Sequence, residues 1–194
     1  MDAGRWHSAV GLVRERLSAD AFEHSMRVAE TAGSLADVYG VDRGDALFAG
    51  VLHDWDRELP ADALLESARQ RGIPIGDTEA DSPYLLHALT GAAAVREAVP
   101  GLNDEVYSAI ARHTVGALEM SDLDMTVWVA DMIEPGRRHD GVDDLREIVG
   151  IVGLHTLFAR AYEHSVAHII ETRRPLHPET VSVWNAHVAR WHHE

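Results

Sequence analysis

The chain has 194 residues, no cysteine and a formal net charge of −15 from 17 basic and 32 acidic side chains. Without cysteine there are no disulfides, thiolate nucleophiles, iron–sulfur clusters or zinc fingers. A surface this acidic repels nucleic acid and anionic lipid, and the longest apolar run, from Ile148 to Leu154, falls far short of the roughly 20 residues of a spanning helix.

Apolar residues at 46% and charged residues at 25% are ordinary for a soluble globular chain. At about 150 residues per domain, residues 1–194 are expected to form one domain. The opening MDAGRWHSAVG lacks the basic-then-apolar build of an export signal, so the expected compartment is the cytoplasm. The expected partner is a small molecule, with no nucleic acid and no membrane.

Taken in chain order, the pattern reads as helix after helix. Val28, Ala32, Leu35 and Tyr39 recur at steps of four, three and four. Asp45 to Trp55 is apolar nearly all round, which predicts a central buried helix. Ser82-Pro83 supplies an N-cap and a proline at the first helical position, predicting a helix to about Ala98. Asn103-Asp104-Glu105 opens another, with Val106, Ala109 and Ile110 on one face. Ser121 to Glu134 follows, stopped by Pro135-Gly136. Leu154 to about Thr172 is stopped by Pro175, and a last helix runs from about Pro178 to Trp191. No stretch alternates as a strand would. Gly72 to Ser82, rich in Gly, Pro and Asp, is expected to be the most mobile segment. The expected fold is an all-α bundle, with a core over about 20–135 and C-terminal helices over about 154–191 packing on it.

The chemistry starts at His53-Asp54, at the end of the most apolar helix. A buried carboxylate is paired, protonated or metal-bound; a plain helix-end pair of Asp54 with Arg57 is the simplest alternative to a metal. Other polar residues also interrupt apolar faces. His24 lies beside the Val28/Leu35 stripe, and His87 shares a face with Gly91 and Ala94. His113 continues the Val106/Ala109/Ile110 face, and Asp131 sits inside the core run Met125 to Ile133. Each alone reads as a satisfied core group. Six on five helices share one cause more simply: a metal site built between helices. Imidazole and carboxylate without thiolate suit Fe, Mn, Zn, Ni or Co. Six ligands exceed one four-coordinate ion and suit two ions about 3.5–4 Å apart. Two divalent ions outweigh two carboxylates, so the site would be locally positive, a seat for an anionic substrate. His164 and His168, spaced i, i+4, read as a solvated face, and His192 and His193 as a frayed end. Trp128, Trp184 and Trp191 read as core rather than as platforms for a base.

The order His24, His53-Asp54, His87, His113, Asp131 resembles the HD-domain metal-dependent phosphohydrolase superfamily. Narrower blocks are similar to the YqeK family. They are Ala49 to Asp54 continuing to Glu58-Leu59-Pro60, Arg112-His113-Thr114, Ala130 to Arg137, and Arg174 to Val181 with Asn185. The resemblance runs from about residue 20 to 187. It implies an HD-type bundle that hydrolyses dinucleoside tetraphosphates symmetrically, diadenosine tetraphosphate and water giving two ADP. The attacking group would be a hydroxide bridging two divalent ions, usually iron. By motif match, His24, His53, Asp54 and Asp131 hold one ion, and His87 and His113 hold the second, with Asp54 bridging. Arg27, Arg57, Arg112 and Arg137 are candidate phosphate contacts, with Thr114 a hydroxyl donor; Arg57 and Arg137 lie in matched blocks, and Asp54 and Arg57 are the catalytic candidates. The sequence departs from the family in two places. Arg57 stands where lysine is frequent, which keeps the charge. Val115-Gly116-Ala117-Leu118 stands where an arginine is frequent, which removes a phosphate contact. Three other functions share the ligand set: a phosphatase for mononucleotides, a mixed-valent di-iron oxygenase, and a nucleotide sensor that keeps its metals without turnover. A homodimer remains open.

Overall fold

Side-chain caps set the helix starts. Asp2 accepts from the Gly4 and Arg5 amides at the head of α1 (Ala3–Arg16), and Ser18 from Ala21 at the head of α2 (Ala19–Tyr39). Asp42 accepts from Asp45 at the head of α3 (Arg43–Leu52). The structure, a computed structural model, describes residues 2–191, with side chains to residue 189. His192, His193 and the Trp191 side chain lie outside that description. α4 (Ala61–Gln70) and α5 (Asp77–Asp81) lead to a 3₁₀ turn (Pro83–Leu86) that runs into α6 (His87–Ala98). Then come α7 (Asp104–Arg112), α8 (Asp122–Ile133), α9 (Val142–Glu147), α10 (Leu154–Glu171) and α11 (Pro178–Trp191), with no strand among the described residues. Ser121 and Asp124 form a reciprocal capping box at α8, at 3.1 and 3.0 Å.

α3 is the buried spine, with Ala46 and Phe48 through Leu52 all out of solvent. α2, α7 and α8 surround it. α10 packs on α8 through the rings of Trp128, Phe158 and Tyr162, whose centroids are 5.2–5.4 Å apart, and α11 packs on α10. Trp184 is partly buried against the same core.

Two boundaries differ from the sequence pattern. α3 ends at Leu52, not Trp55, because the amides of Trp55 and Arg57 turn back to the carbonyls of Leu52 and Asp54, three residues earlier. His53 and Asp54 therefore sit in the turn leaving the helix. The helix predicted from Ser82 starts as a 3₁₀ turn, with the Leu85 amide on the Ser82 carbonyl, and Ser82 makes no side-chain cap. α6 begins at His87. The segment from Gly72 to Ser82 contains α5, and His177 Nε2–H donates to Glu79 Oε1 at 2.8 Å, tying α5 to the chain before α11.

α2 and α3 approach closely because residue 50 has no side chain. A Cβ on Gly50 would stand 2.7 Å from Ala29 Cα and 2.9 Å from Ala29 N, both backbone atoms that cannot swing aside. Gly50→Ala is expected to lower stability by about 1–3 kcal/mol, read by urea unfolding. An unchanged midpoint would show that the helices part freely.

Candidate active site

His24 projects from α2, and His53 and Asp54 stand in the turn after α3. His87 opens α6, His113 follows α7, and Asp131 lies on α8. The fold brings all six to one place. Each histidine is held by the ring nitrogen that faces away from the others. Nδ1 of His53, His87 and His113 contacts the carbonyl three residues earlier, of Gly50, Tyr84 and Ile110, at 2.8, 2.5 and 2.7 Å. His24 Nδ1 contacts Glu134 Oε1 at 3.2 Å. These oxygens only accept, which assigns the proton to Nδ1 and aims four Nε2 lone pairs inward.

The inward atoms are all acceptors. Asp54 Oδ2 lies 3.7 Å from His24 Nε2 and 3.4 Å from His53 Nε2, while its Oδ1 lies 3.3 and 3.5 Å from those of His87 and His113. Asp131 Oδ1 is 3.1 Å from His24 Nε2 and 4.0 Å from His53 Nε2. The Nε2 atoms of His87 and His113 are 3.1 Å apart, and His53 Nε2 is buried with no hydrogen-bond partner. The ligand atoms of His24, His53 and Asp131 lie within 4.8 Å of one another, as do those of His53, Asp54 and His113. Apart from the Arg137 guanidinium on Asp131, what converges here is lone pairs, as a cation requires, so the residues present fit divalent metal. Thr114 Oγ1 lies 3.2 Å from His113 Nε2 and 3.4 Å from His87 Nε2, a hydroxyl at this edge.

Titration follows the same pull toward positive charge. Burial opposes protonation of His53, yet the Asp54 carboxylate beside it pushes the pKa up to about 9. Burial also works against ionised Asp54 and Asp131. Without a cation, protons take its place: the charge of His53 and hydrogen bonds from His113 and His87 nevertheless hold Asp54 well below the usual carboxylate range. The His24 hydrogen bond and the Arg137 charge do the same for Asp131. Burial lowers His113.

The supporting residues explain why the nest is rigid. Arg16 donates to Asp56 Oδ1 and to the Trp55 carbonyl, both at 2.5 Å, and Glu58 accepts from the Ser18 amide and hydroxyl, both at 2.6 Å. The turn carrying His53 and Asp54 is thus fastened to the α1–α2 junction. Glu134 is buried and accepts from Arg27 Nε at 2.6 Å as well as from His24.

The arginines divide. Arg27 is turned to Glu134, and Arg112 donates to buried Asp124 at 2.6 Å and to the Glu119 carbonyl. Neither lines the cleft. Arg137 reaches it while bound to the Asp131 carboxylate and carbonyl. Arg57 lines the cleft with no carboxylate partner among the described residues, so the simple Asp54–Arg57 pair is not formed; its guanidinium carbon sits 5.7 Å from the Tyr84 ring centroid. The cleft, about 310 Å³, opens over Asp54, His87, His113 and Asp131, and Ser165, His168, Arg174 and His177 form its far side. The i, i+4 spacing reads His164 and His168 as a solvated face, and His168 is exposed there at the cleft edge. His164 instead meets the Asp140 carbonyl and the His139 ring.

This arrangement coincides with the region recognised by sequence comparison: residues 21–136 match the profile of the HD domain. The chain belongs to the HD-domain family. Two relatives carry the name symmetrical bis(5′-nucleosyl)-tetraphosphatase. The protein from Halalkalibacterium halodurans is 31% identical over 91% of this chain and 94% of its own. That from Staphylococcus aureus is 38% identical over 71% of this chain and 70% of its own. The crystal structure of a predicted HD superfamily hydrolase involved in NAD metabolism, from Clostridium acetobutylicum, superposes with a TM-score of 0.89. It shares 30% identity and covers 95% of this chain and 97% of its own. Within the HD domains this chain is YqeK-like, and it is a hydrolase whose His/Asp clusters are arranged so that they could hold metal. No helix among the described residues is long and apolar enough to cross a membrane.

Because Glu134 holds the outer nitrogen of His24, Glu134→Gln is expected to leave the helical content intact and to weaken metal binding about 10–100-fold, measured by chelator competition. Unchanged affinity would show that His24 needs no such partner. Burial raises the Glu134 pKa, but the Arg27 hydrogen bond outweighs it and the net shift is downward. The stability Glu134 contributes is therefore complete above its ordinary value of 4.5 and is lost as pH falls through the lower folded value. An acid titration of metal-free protein by circular dichroism should show a loss that Glu134→Gln reduces.

Proposed function

We propose that the protein hydrolyses dinucleoside tetraphosphates symmetrically, diadenosine tetraphosphate and water giving two ADP, on a pair of divalent ions, iron first among them. The observation that carries the reading is the division of Asp54. One carboxylate oxygen faces His24 and His53, and the other faces His87 and His113. His24, His53, Asp54 and Asp131 would hold one ion, and His87 and His113 the second, with Asp54 shared. The names of the two relatives support the substrate. When bound, divalent ions offset charge on phosphoryl oxygens and make water acidic enough to attack phosphorus near neutral pH.

The chain's own residues do the rest. Arg57 presents an unpaired guanidinium at the cleft edge and meets a phosphate oxygen of the anionic chain. Thr114 donates its hydroxyl beside His87 and His113. Arg137 keeps Asp131 ionised and oriented, and turns part of its fork into the cleft. No side-chain nucleophile is required. The protein would work in the cytoplasm on a small-molecule nucleotide.

Chromatography of products from iron-loaded, reduced protein tests this. Two ADP per substrate are expected, with turnover lost in Asp54→Ala. ATP plus AMP would overturn the symmetrical cut, and no turnover with metal bound would overturn the substrate. Arg57→Ala is expected to reduce kcat/KM about tenfold to a hundredfold with metal content unchanged. Metal loss in that variant would remove its substrate role.

A further inference from the structure

The cleft has two walls of different origin. One comes from the HD-matched residues 21–136 and carries the metal nest and Arg57. The other comes from residues beyond that match, with Ser165, His168 and Ile169 on α10 and Arg174, Pro175 and His177 in the segment before α11. We propose that this second wall is an anion subsite centred on Arg174, which takes the phosphates of the nucleoside diphosphate half remote from the reacting phosphorus. The proposal rests on the tetraphosphate reading above and assigns how the length of the substrate is recognised.

Three arginines line the cleft among the described residues: Arg57, Arg137 and Arg174. Arg137 is committed to Asp131 and, at 3.9 Å, to Glu134. Arg174 has no carboxylate partner among the described residues, in a chain where 32 acidic side chains face 17 basic ones. It is nonetheless held. Its Nε–H donates to Thr172 Oγ1 at 3.1 Å, and its Nη2–H donates to His168 Nε2 at 3.0 Å. Both acceptors are neutral, so they orient the planar fork without cancelling its charge. Three of its five N–H donors remain for an oxyanion.

Two acids of this region are used elsewhere. Glu79 accepts from His177 at 2.8 Å, and Glu179 accepts from the Leu118 amide at 3.2 Å. The Glu179 amide in turn donates to His177 Nδ1 at 3.0 Å, so the wall carrying Arg174 is fastened at both α5 and α11. The result is two guanidiniums free of carboxylate partners, Arg57 and Arg174, lining one cleft from different stretches of the chain. A short phosphoester bound at the metal nest is served by the first wall alone. A tetraphosphate, with anionic charge on both sides of its central bridge, uses both.

The test is equilibrium binding of a non-hydrolysable diadenosine tetraphosphate, with methylene in place of the central bridging oxygen, to manganese-loaded protein by calorimetry. Arg174→Gln is expected to weaken binding about tenfold to a hundredfold and to leave binding of inorganic phosphate unchanged. Arg173→Gln removes the same charge one residue away and is expected to change binding less than about twofold, the scale of a screened surface charge. Equal Kd for wild type and Arg174→Gln overturns the subsite. So does an equal loss in Arg173→Gln, which would mark a general field, and so does an equal loss for inorganic phosphate, which would put Arg174 at the reacting centre. Turnover of diadenosine tetraphosphate is followed in parallel. Loss of analogue affinity in Arg174→Gln without wild-type turnover leaves the subsite standing and removes the proposed reaction. Turnover with kcat/KM untouched by Arg174→Gln does the reverse, and a wild type that neither binds nor turns over overturns both.

Discussion

One carboxylate surrounded by four imidazoles governs this molecule. Asp54 is buried, and both its oxygens face imidazole nitrogens. Such a group survives only where a cation or protons balance it. Each surrounding element solves part of that problem. The turn after α3 presents two ligands from one backbone segment, three carbonyls and Glu134 fix the imidazoles, and Arg16 and Glu58 keep the turn from moving.

The six clustered residues were legible because they broke a rule. A histidine or aspartate on an otherwise apolar helix face is visible in one dimension, and five helices with such interruptions converge in three. The principal helices were legible for the complementary reason, since α2, α3, α8 and α10 bury wide apolar faces. α1, α4, α5 and α9 were not. α1 buries two helix residues, Ala9 and Val13, and α4 buries Leu64 and Ala68, too few to make a pattern. What each arginine does was hidden as well. Arg27 and Arg112 stand within three positions of site residues, yet they spend their charge on Glu134 and Asp124, choices that only packing reveals.

The far wall of the cleft was the hardest part to see. His168 and Arg174 are exposed, and exposure of a polar residue carries no signal by itself. The surviving clue was the block from Arg174 to Val181, where two prolines and a histidine fix an irregular path. The helical core supplies a reaction centre common to its family, and the C-terminal helices supply a second surface whose residues lie outside that common region. On the proposed reading, chemistry and selectivity are carried by separable stretches of chain, which are free to vary at different rates.

The contact at Gly50 joins the two concerns of packing and reaction. Its absent side chain lets α2 and α3 touch, and these helices carry His24 and lead to His53. A methyl group there would act as a wedge between two ligands without entering their coordination sphere. In a deep mutational scan selected for turnover, this interior glycine would behave like a ligand, intolerant of every replacement, while exposed positions on the same helix would accept almost anything. Selection for catalysis thus reaches into the apolar core, and a hydrophobic contact becomes part of the enzyme's heritable chemistry.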